Sequence, residues 1–230
     1  VNVHGTEGLL QLSLERGVRR FVFCSSVGVF GTIPLQSPAG EATPLNGDNL
    51  YHASKIEAEG RAAEYVAKGL DVRVVRPTVT YGLEDSGFPT TLVNLARSRR
   101  FVLCGSDVLI HLLDADKMAE FVHLILRREQ LKGSVFTVAD SGPVSLRSLV
   151  NLVHLHYHGA PYPRFLRMPR PVFTAAAIFF RLIRNEKWLA RVLLTSRDWH
   201  YDLRRTLSAV PEWVPARTED NFVAAICSTG

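Results

Sequence analysis

Hydrophobic positions divide the chain into segments with two different periodicities. Apolar side chains recur at helical spacing in some segments and form short continuous runs, typical of buried strands, in others. The helical pattern predicts helices over 2–16, 50–68, 88–99, 114–129 and 145–157. The continuous runs predict strands over 19–25, 71–77 and 133–139, with shorter strands near 101–104 and 108–113. Because helices and strands alternate, the pattern favours an α/β fold built on a parallel sheet.

Polar and helix-breaking residues separate these elements. Gly17 and Gly69 follow predicted helices, and residues 32–49 are rich in Pro, Gly, Ser, Thr and Asn, which predicts a loop. From about residue 160 the pattern turns into proline-rich, basic helical segments. The sequence therefore predicts a change of organisation near residue 160.

Composition indicates a folded protein from a reducing compartment. The 230 residues are 47% hydrophobic and 21% charged, which excludes intrinsic disorder. Cys24, Cys104 and Cys227 are odd in number and widely spaced, which argues against a disulfide framework and favours the cytoplasm. The cysteines also lack the spacing of metal ligands. No apolar run reaches the length of a membrane span.

One short segment carries recognisable chemistry. Tyr51 and Lys55 are four residues apart in a predicted helix, so both side chains leave the same face. A lysine cation beside a phenol stabilises the phenolate, which makes Tyr51 a candidate for moving a proton to or from a substrate oxygen. Ser26 follows a predicted strand, 25 positions before Tyr51, and could hold the same oxygen by a hydrogen bond.

Further motifs make this pattern specific. The accompanying segments are NVHGTEGLL at 2–10, SSVGVFG at 25–31, RPTVTYG at 76–82, HLLDAD at 111–116, YD at 201–202 and PEWVP at 211–215. Together with the Tyr-x-x-x-Lys pair, they resemble the extended branch of the short-chain dehydrogenase/reductase superfamily, the NAD-dependent epimerase/dehydratase family. The resemblance runs along almost the whole chain.

The resemblance also shows what these residues lack. Members of that family open with a strand, a glycine-rich turn and a helix that grip the cofactor pyrophosphate, and no such motif occurs here. We therefore expect a Rossmann-like doubly wound parallel sheet without its N-terminal βαβαβ half, with a smaller C-terminal substrate-binding region. On this expectation, residues 1–160 form the C-terminal part of the NAD(P)-binding domain with interleaved substrate segments. Residues 161–230 form a mainly substrate-binding helical region, and the 230 residues alone are inactive.

The resemblance assigns roles to individual positions. It implies NAD or NADP as cofactor, a small-molecule substrate and a homodimer. The implied catalytic residues are Tyr51, Lys55 and Ser26. The implied cofactor-binding residues are Lys55, Tyr51, Pro77 and Val79. The residues implied to contact substrate or support the site are Asn2, Ser25, Thr78 and His111.

Three functions remain open from the sequence. The whole motif set favours an oxidoreductase acting on a secondary alcohol or ketone of a nucleotide-sugar-like substrate. Many sugar-nucleotide members carry an arginine just before the His-Val-x-Asp segment, and residues 108–110 contain none. That departure favours a 3-beta-hydroxysteroid dehydrogenase-like enzyme acting on an apolar alcohol. A non-catalytic dinucleotide-sensing module is the third reading, which the intact Ser26, Tyr51 and Lys55 oppose.

Two other features call for an explanation. His154, His156 and His158 alternate along a predicted helix without a cysteine or acidic partner, so we predict no metal site. Residues 164–205 hold ten Lys or Arg against three acids. This stretch could lie on an anionic membrane surface, but we favour a substrate-domain helix pair with solvated arginines. No reader motif supports nucleic-acid binding as an account of the net charge of +5.

Overall fold

The computed structural model describes residues 2–82 and 87–227. The helices are α1 Asn2–Glu15, α2 Leu50–Ala67, α3 Phe88–Arg97, α4 Ala115–Arg127, α5 Leu146–His158, α6 Arg170–Leu182, α7 Glu186–Ser196, α8 Arg204–Ala209 and α9 Thr218–Cys227. The strands are β1 Phe21–Cys24, β2 Val72–Pro77, β3 Val79–Tyr81, β4 Leu103–Cys104, β5 Leu109–Ile110, β6 Leu112–Asp114, β7 Val135–Val138, β8 Val144–Ser145 and β9 Arg167–Met168.

The chain divides into two compact units that interleave along the sequence. Unit 1 comprises residues 1–78, 115–139 and 201–215. Unit 2 comprises residues 79–114, 140–200 and 216–230. The chain therefore enters each unit three times, and each unit is built from segments that are distant in sequence.

A parallel sheet forms the centre of unit 1. Its strand order is β1-β2-β7, and both pairings are parallel. Val72 and Val74 of β2 pack in one cluster with α1 and α2 residues. Arg73, the residue between them, bonds instead to the Ile125 carbonyl of α4. Because alternate residues of a strand face opposite sides, helices cover both faces of this sheet. This is the doubly wound arrangement that the sequence predicts.

Unit 2 is built from short strand pairs and helices. β3 pairs with β6 and β4 with β9 in parallel, whereas β5 pairs with β8 in antiparallel fashion. The Asp140 carboxylate is fully buried and accepts bonds from the Tyr81 hydroxyl at 2.9 Å, the Thr218 hydroxyl at 2.6 Å and the Asp114 amide at 3.0 Å. These hydrogen bonds connect β3, β6 and α9 through the carboxylate of Asp140.

Candidate active site

The start of α2 positions the tyrosine–lysine pair in unit 1. Asn49 caps the helix by accepting a bond from the His52 amide at 2.9 Å, so Tyr51 lies in the first turn. Tyr51 remains 50% exposed. The Lys55 ammonium lies 5.9 Å from the centre of the Tyr51 ring and donates to the Cys24 carbonyl at 2.8 Å. That bond holds the ammonium at the carboxyl end of β1, where ligands bind in open α/β sheets.

Ser26 lies at the same end of β1. Its hydroxyl caps a short 3₁₀ helix, Val27–Phe30, by accepting a bond from the Gly28 amide at 3.0 Å. A serine hydroxyl that accepts a bond still has its own proton to donate. Ser26 is therefore able to donate to a substrate oxygen while it caps this turn.

Ser25 faces in a different direction from its neighbour. It is buried and donates to a Glu59 carboxylate oxygen at 2.5 Å. The same carboxylate accepts two bonds from the Arg76 guanidinium, at 2.9 and 2.6 Å. Ser25 thereby connects the end of β1 to α2 and β2 through the Glu59 carboxylate.

Asn2 contacts α2 next to the tyrosine–lysine pair. Its amide donates to the Ser54 hydroxyl at 3.0 Å, and that hydroxyl donates to the Tyr51 carbonyl at 2.8 Å. Asn2 thus braces, through one intermediate residue, the helical turn that carries Tyr51 and Lys55.

Pro77 and Thr78 lie at the carboxyl end of β2. Pro77 pairs with Val138 of β7, and the Thr78 amide donates to the Val138 carbonyl at 3.1 Å. The Thr78 hydroxyl is buried and has no hydrogen-bond partner among the described residues. An unpaired buried hydroxyl costs about 1–3 kcal/mol, so a polar group that binds there would be stabilised.

Two predicted residues belong to unit 2. Val79 begins β3 and pairs with Leu112 of β6. His111 is buried, and its Nε2 donates to the Asp140 carbonyl at 2.8 Å. Burial, together with nearby His200, lowers the pKa of His111 to about 4 although the Asp140 carbonyl opposes this shift, so the ring is neutral at physiological pH.

His52 and Asp48 lie beside Tyr51, and neither was predicted from the sequence as a site residue. The His52 Nδ1 lies 2.5 Å from an Asp48 carboxylate oxygen. Burial alone would raise the pKa of Asp48, but hydrogen bonds from Thr32 and His52 outweigh it and hold that pKa below its usual range. A Cβ at Gly28 would lie 2.4 Å from the His52 ring, so only glycine leaves room for this imidazole. Their contact could have been predicted from their spacing, because Asp48 and His52 are four residues apart and flank the helix cap Asn49.

Two of the three histidines of α5 bond to backbone carbonyls. The His154 Nδ1 donates to Ala160 at 2.6 Å, and the His158 Nε2 donates to Arg97 at 2.8 Å. Within residues 2–82 and 87–227, no group of three or more His, Cys, Asp or Glu is arranged to hold a metal ion. In the same ranges, no helix has the length and apolar character that crossing a bilayer requires.

Comparison with known families gives one match to more than half of the chain. The family model described as NAD dependent epimerase/dehydratase family matches residues 1–139. A dTDP-glucose 4,6-dehydratase from Streptomyces griseus is 31% identical over 157 residues, which are 66% of this chain and 47% of that protein. An N-acetyl-alpha-D-glucosaminyl-diphospho-ditrans,octacis-undecaprenol 4-epimerase from Escherichia coli O157:H7 is 27% identical over 65% of this chain and 46% of its own length. The chain thus spans about half the length of these relatives.

Solved structures share the fold along the whole chain. RMD from Pseudomonas aeruginosa, complexed with NADPH, has a TM-score of 0.72 at 22% identity and covers 99% of this chain, with 72% of its own chain covered. A dTDP-glucose 4,6-dehydratase from Bacillus anthracis, in complex with NAD, has a TM-score of 0.71 at 18% identity, covering 98% of this chain and 66% of its own. At these identities the likeness shows a shared Rossmann-like fold.

Proposed function

Because the chain belongs to the NAD-dependent epimerase/dehydratase family, we propose that it forms part of an NAD(P)-dependent oxidoreductase acting on a secondary alcohol or ketone. The substrate class we propose is a nucleotide sugar, as the name of the dTDP-glucose 4,6-dehydratase indicates for that protein. The observation that carries the proposal is the Lys55 ammonium, bonded to the Cys24 carbonyl and one helical turn from the half-exposed Tyr51.

Each side chain of the group has a separate role in this proposal. The Tyr51 hydroxyl moves the proton to or from the substrate oxygen. The Lys55 cation stabilises the phenolate and holds the ribose hydroxyls of the nicotinamide nucleotide. The Ser26 hydroxyl donates to the substrate oxygen and so fixes its position. Ser25 and Asn2 act through the residues that they brace.

The residues present fit a nicotinamide nucleotide at the carboxyl ends of β1 and β2. Lys55 offers a cationic donor there, and the buried Thr78 hydroxyl lacks a partner among the described residues. Pro77 lies beside it, and Val79 follows as the apolar residue that we assign to the nicotinamide. When bound, the nucleotide supplies the hydride acceptor or donor.

The remaining assignments of the proposal concern the whole protein. We assign residues 161–230 mainly to substrate binding and His111 and Thr78 to supporting positions. We place the enzyme in the cytoplasm as a homodimer that uses α2 and its neighbour α1, which exposes Leu9 and Leu12. An apolar alcohol such as a 3-beta-hydroxysteroid is the second candidate substrate, which the absence of arginine from residues 108–110 favours.

Cofactor binding tests the proposal first. NAD(H) and NADP(H) binding would be measured on the 230-residue chain and on the same chain extended by whatever its reading frame encodes upstream. Binding by the extended form would support the proposal, and we expect turnover from that form alone. Binding by neither form would refute the proposal, and binding without turnover of any substrate would favour the non-catalytic dinucleotide-sensing module instead. A panel of UDP- and dTDP-sugars and 3-beta-hydroxysteroids would then separate the two substrate classes.

Replacement of the phenol tests the chemistry. In the form that turns over substrate, Tyr51→Phe should lower kcat by about 10²–10⁴-fold and affect cofactor binding much less, because it removes the proton carrier while Lys55 still holds the ribose. Tyr157→Phe on α5 is the matched control, since it removes a tyrosine hydroxyl elsewhere in the chain. Turnover by Tyr51→Phe at the rate of the control would show that Tyr51 is not the proton carrier.

A further inference from the structure

Helices α6 and α7 form a hairpin in unit 2 that buries very little of α6. Phe180 of α6 stacks on Trp188 of α7, with ring centres 5.8 Å apart and planes inclined by 15°. Phe173 and Ala177 of α6 also lie beside α7, where they line a small cleft with Leu193. No residue of α6 is buried, although most of its side chains are apolar. The face of α6 turned away from α7 is therefore open to solvent.

That open face is a continuous apolar stripe. Val172, Ala175, Phe179 and Leu182 follow one another at intervals of three, four and three residues, so they lie along one side of the helix. Leu182 is 77% exposed and Phe179 is 56% exposed. The exposed neighbours Ile178 and Ile183 widen the stripe. Exposed apolar side chains in a contiguous patch mark a surface that binds something apolar.

The hairpin is also strongly cationic. Between residues 164 and 197 there is one acid, Glu186, and eight basic residues: Arg164, Arg167, Arg170, Arg181, Arg184, Lys187, Arg191 and Arg197. Among the residues that the structure describes, none of the ion pairs includes any of the eight. Their charge is therefore available to an anionic partner.

Trp188 lies at the junction of the apolar and cationic surfaces. Its side chain is 48% exposed, and the Arg191 guanidinium lies 4.9 Å from its ring. A tryptophan beside an arginine suits a boundary that is apolar on one side and polar on the other, such as the headgroup level of a bilayer.

The unburied apolar stripe of α6 goes against our sequence-based preference for a helix pair that serves only the substrate. We propose that the α6–α7 hairpin docks on the surface of an anionic phospholipid bilayer, with the α6 stripe in the acyl boundary and the cations among the headgroups. Each feature of the hairpin fits this partner, because interfacial helices combine an apolar face with Lys and Arg. α6 has 13 residues, too few to span a bilayer, so it lies in the plane of the surface. A second copy of the chain is a poorer partner, since pairing two such hairpins would bring like charges together.

Vesicle binding tests the proposal on the 230-residue chain and does not depend on the proposed enzyme activity. Vesicles of phosphatidylcholine would be compared with vesicles of equal parts phosphatidylcholine and phosphatidylserine, in a flotation assay at low and high salt. We expect binding to the anionic vesicles alone, weakened by salt. Trp199 and Trp213 are each 1% exposed, so a blue shift of tryptophan emission, quenched by brominated lipid, would report on Trp188.

Matched variants distinguish binding through this surface from non-specific adsorption to vesicles. Leu182→Ser and Arg181→Glu/Arg184→Glu should each weaken vesicle binding by about tenfold or more. Leu35→Ser, at a leucine that is 70% exposed in unit 1, and Arg16→Glu/Arg19→Glu should bind like the unmodified chain. Equal losses in the control variants, or no binding to anionic vesicles, would overturn the proposal. Sedimentation in the absence of lipid provides a second refutation, since a dimer abolished by Leu182→Ser would identify a second copy as the partner.

Discussion

His111 is the histidine whose protonation the fold opposes most clearly. Its ring is 1% exposed and donates to the Asp140 carbonyl. The pKa falls from an ordinary value of about 6.5 to about 4, chiefly because burial excludes water from the imidazolium. The unfolded chain therefore binds a proton at a pH where the folded chain does not. This difference makes the free energy of unfolding depend on pH.

The sign of that dependence follows from the two pKa values. Above about pH 6.5 both states are neutral at His111 and its full contribution to stability is present. As the pH falls from about 6.5 to about 4, the unfolded state gains a proton and the folded state loses about 3 kcal/mol of stability. Urea denaturation at a series of pH values would measure this loss.

A conservative variant isolates His111 from its neighbours. His111→Gln keeps a donor for the Asp140 carbonyl and cannot titrate, so stability should fall less between pH 6.5 and pH 4. Asp140 titrates in the opposite sense, because burial raises its pKa, and this effect is common to both proteins. His123→Gln, at an exposed position on α4, is the control. Identical pH dependences in all three proteins would refute the assignment.

At the level of single residues, contacts between neighbours in sequence could be predicted, whereas contacts between distant residues could not. The four-residue interval of Tyr51 and Lys55 is a local property of a helix, and the structure places the two side chains on one face. Arg73 gave no comparable signal, because its partners are the Asp71 carboxylate and a carbonyl of α4 that lies 52 positions away. Burial of a charged residue depends on such distant partners, which periodicity does not reveal.

At the scale of elements, the Glu59–Arg76 pair joins α2 to β2. Both side chains are largely buried, at 10% and 13% exposure, and Ser25 adds a third bond from the end of β1. Removal of one partner leaves the other charge buried and unpaired, which costs about 3–5 kcal/mol. Removal of both charges together should cost less than the sum of the single changes.

A double-mutant cycle measures that coupling. Glu59→Met and Arg76→Met should each lower the free energy of unfolding by about 3 kcal/mol, and the double variant should recover part of the loss. The exposed pair Arg61–Glu64 on α2 is the matched control, and Glu64→Met should cost no more than about 0.5 kcal/mol. Additive losses in the cycle would mean that the pair does not act as a unit.

Element boundaries show where sequence patterns fail. Helices predicted over 2–16, 50–68 and 145–157 occur as α1, α2 and α5 within one or two residues of their predicted ends. The single strand predicted over 108–113 is instead two strands that break at His111, because β5 pairs with β8 and β6 pairs with β3. β3 was not predicted at all, since three residues carry no periodicity. Pairing partners distant in sequence decide such short strands.

On the scale of the whole molecule, β1 is an edge strand of the unit 1 sheet among the described residues. β1 pairs only with β2, on its other side. The Phe21 amide donates to Asp71 and the Ser25 amide donates to Val75, so the amides of Val22 and Cys24 point away from β2. An edge strand presents unpaired N–H and C=O groups and is available to a further strand.

Hydrogen exchange of the 230-residue chain would show whether this edge is open in solution. The Val22 and Cys24 amides should exchange quickly, whereas the Val74 amide, bonded to the Ser134 carbonyl at 2.9 Å in the central strand, should exchange at the rate of global unfolding. Extension of the chain by the sequence encoded upstream should slow exchange at Val22 and Cys24 if that sequence adds a strand to β1. Slow exchange at both amides in the 230-residue chain would mean that another segment or a second copy already covers the edge. Since the chain matches about half the length of its relatives, the edge amides are the most direct probe of whether a further strand joins this sheet.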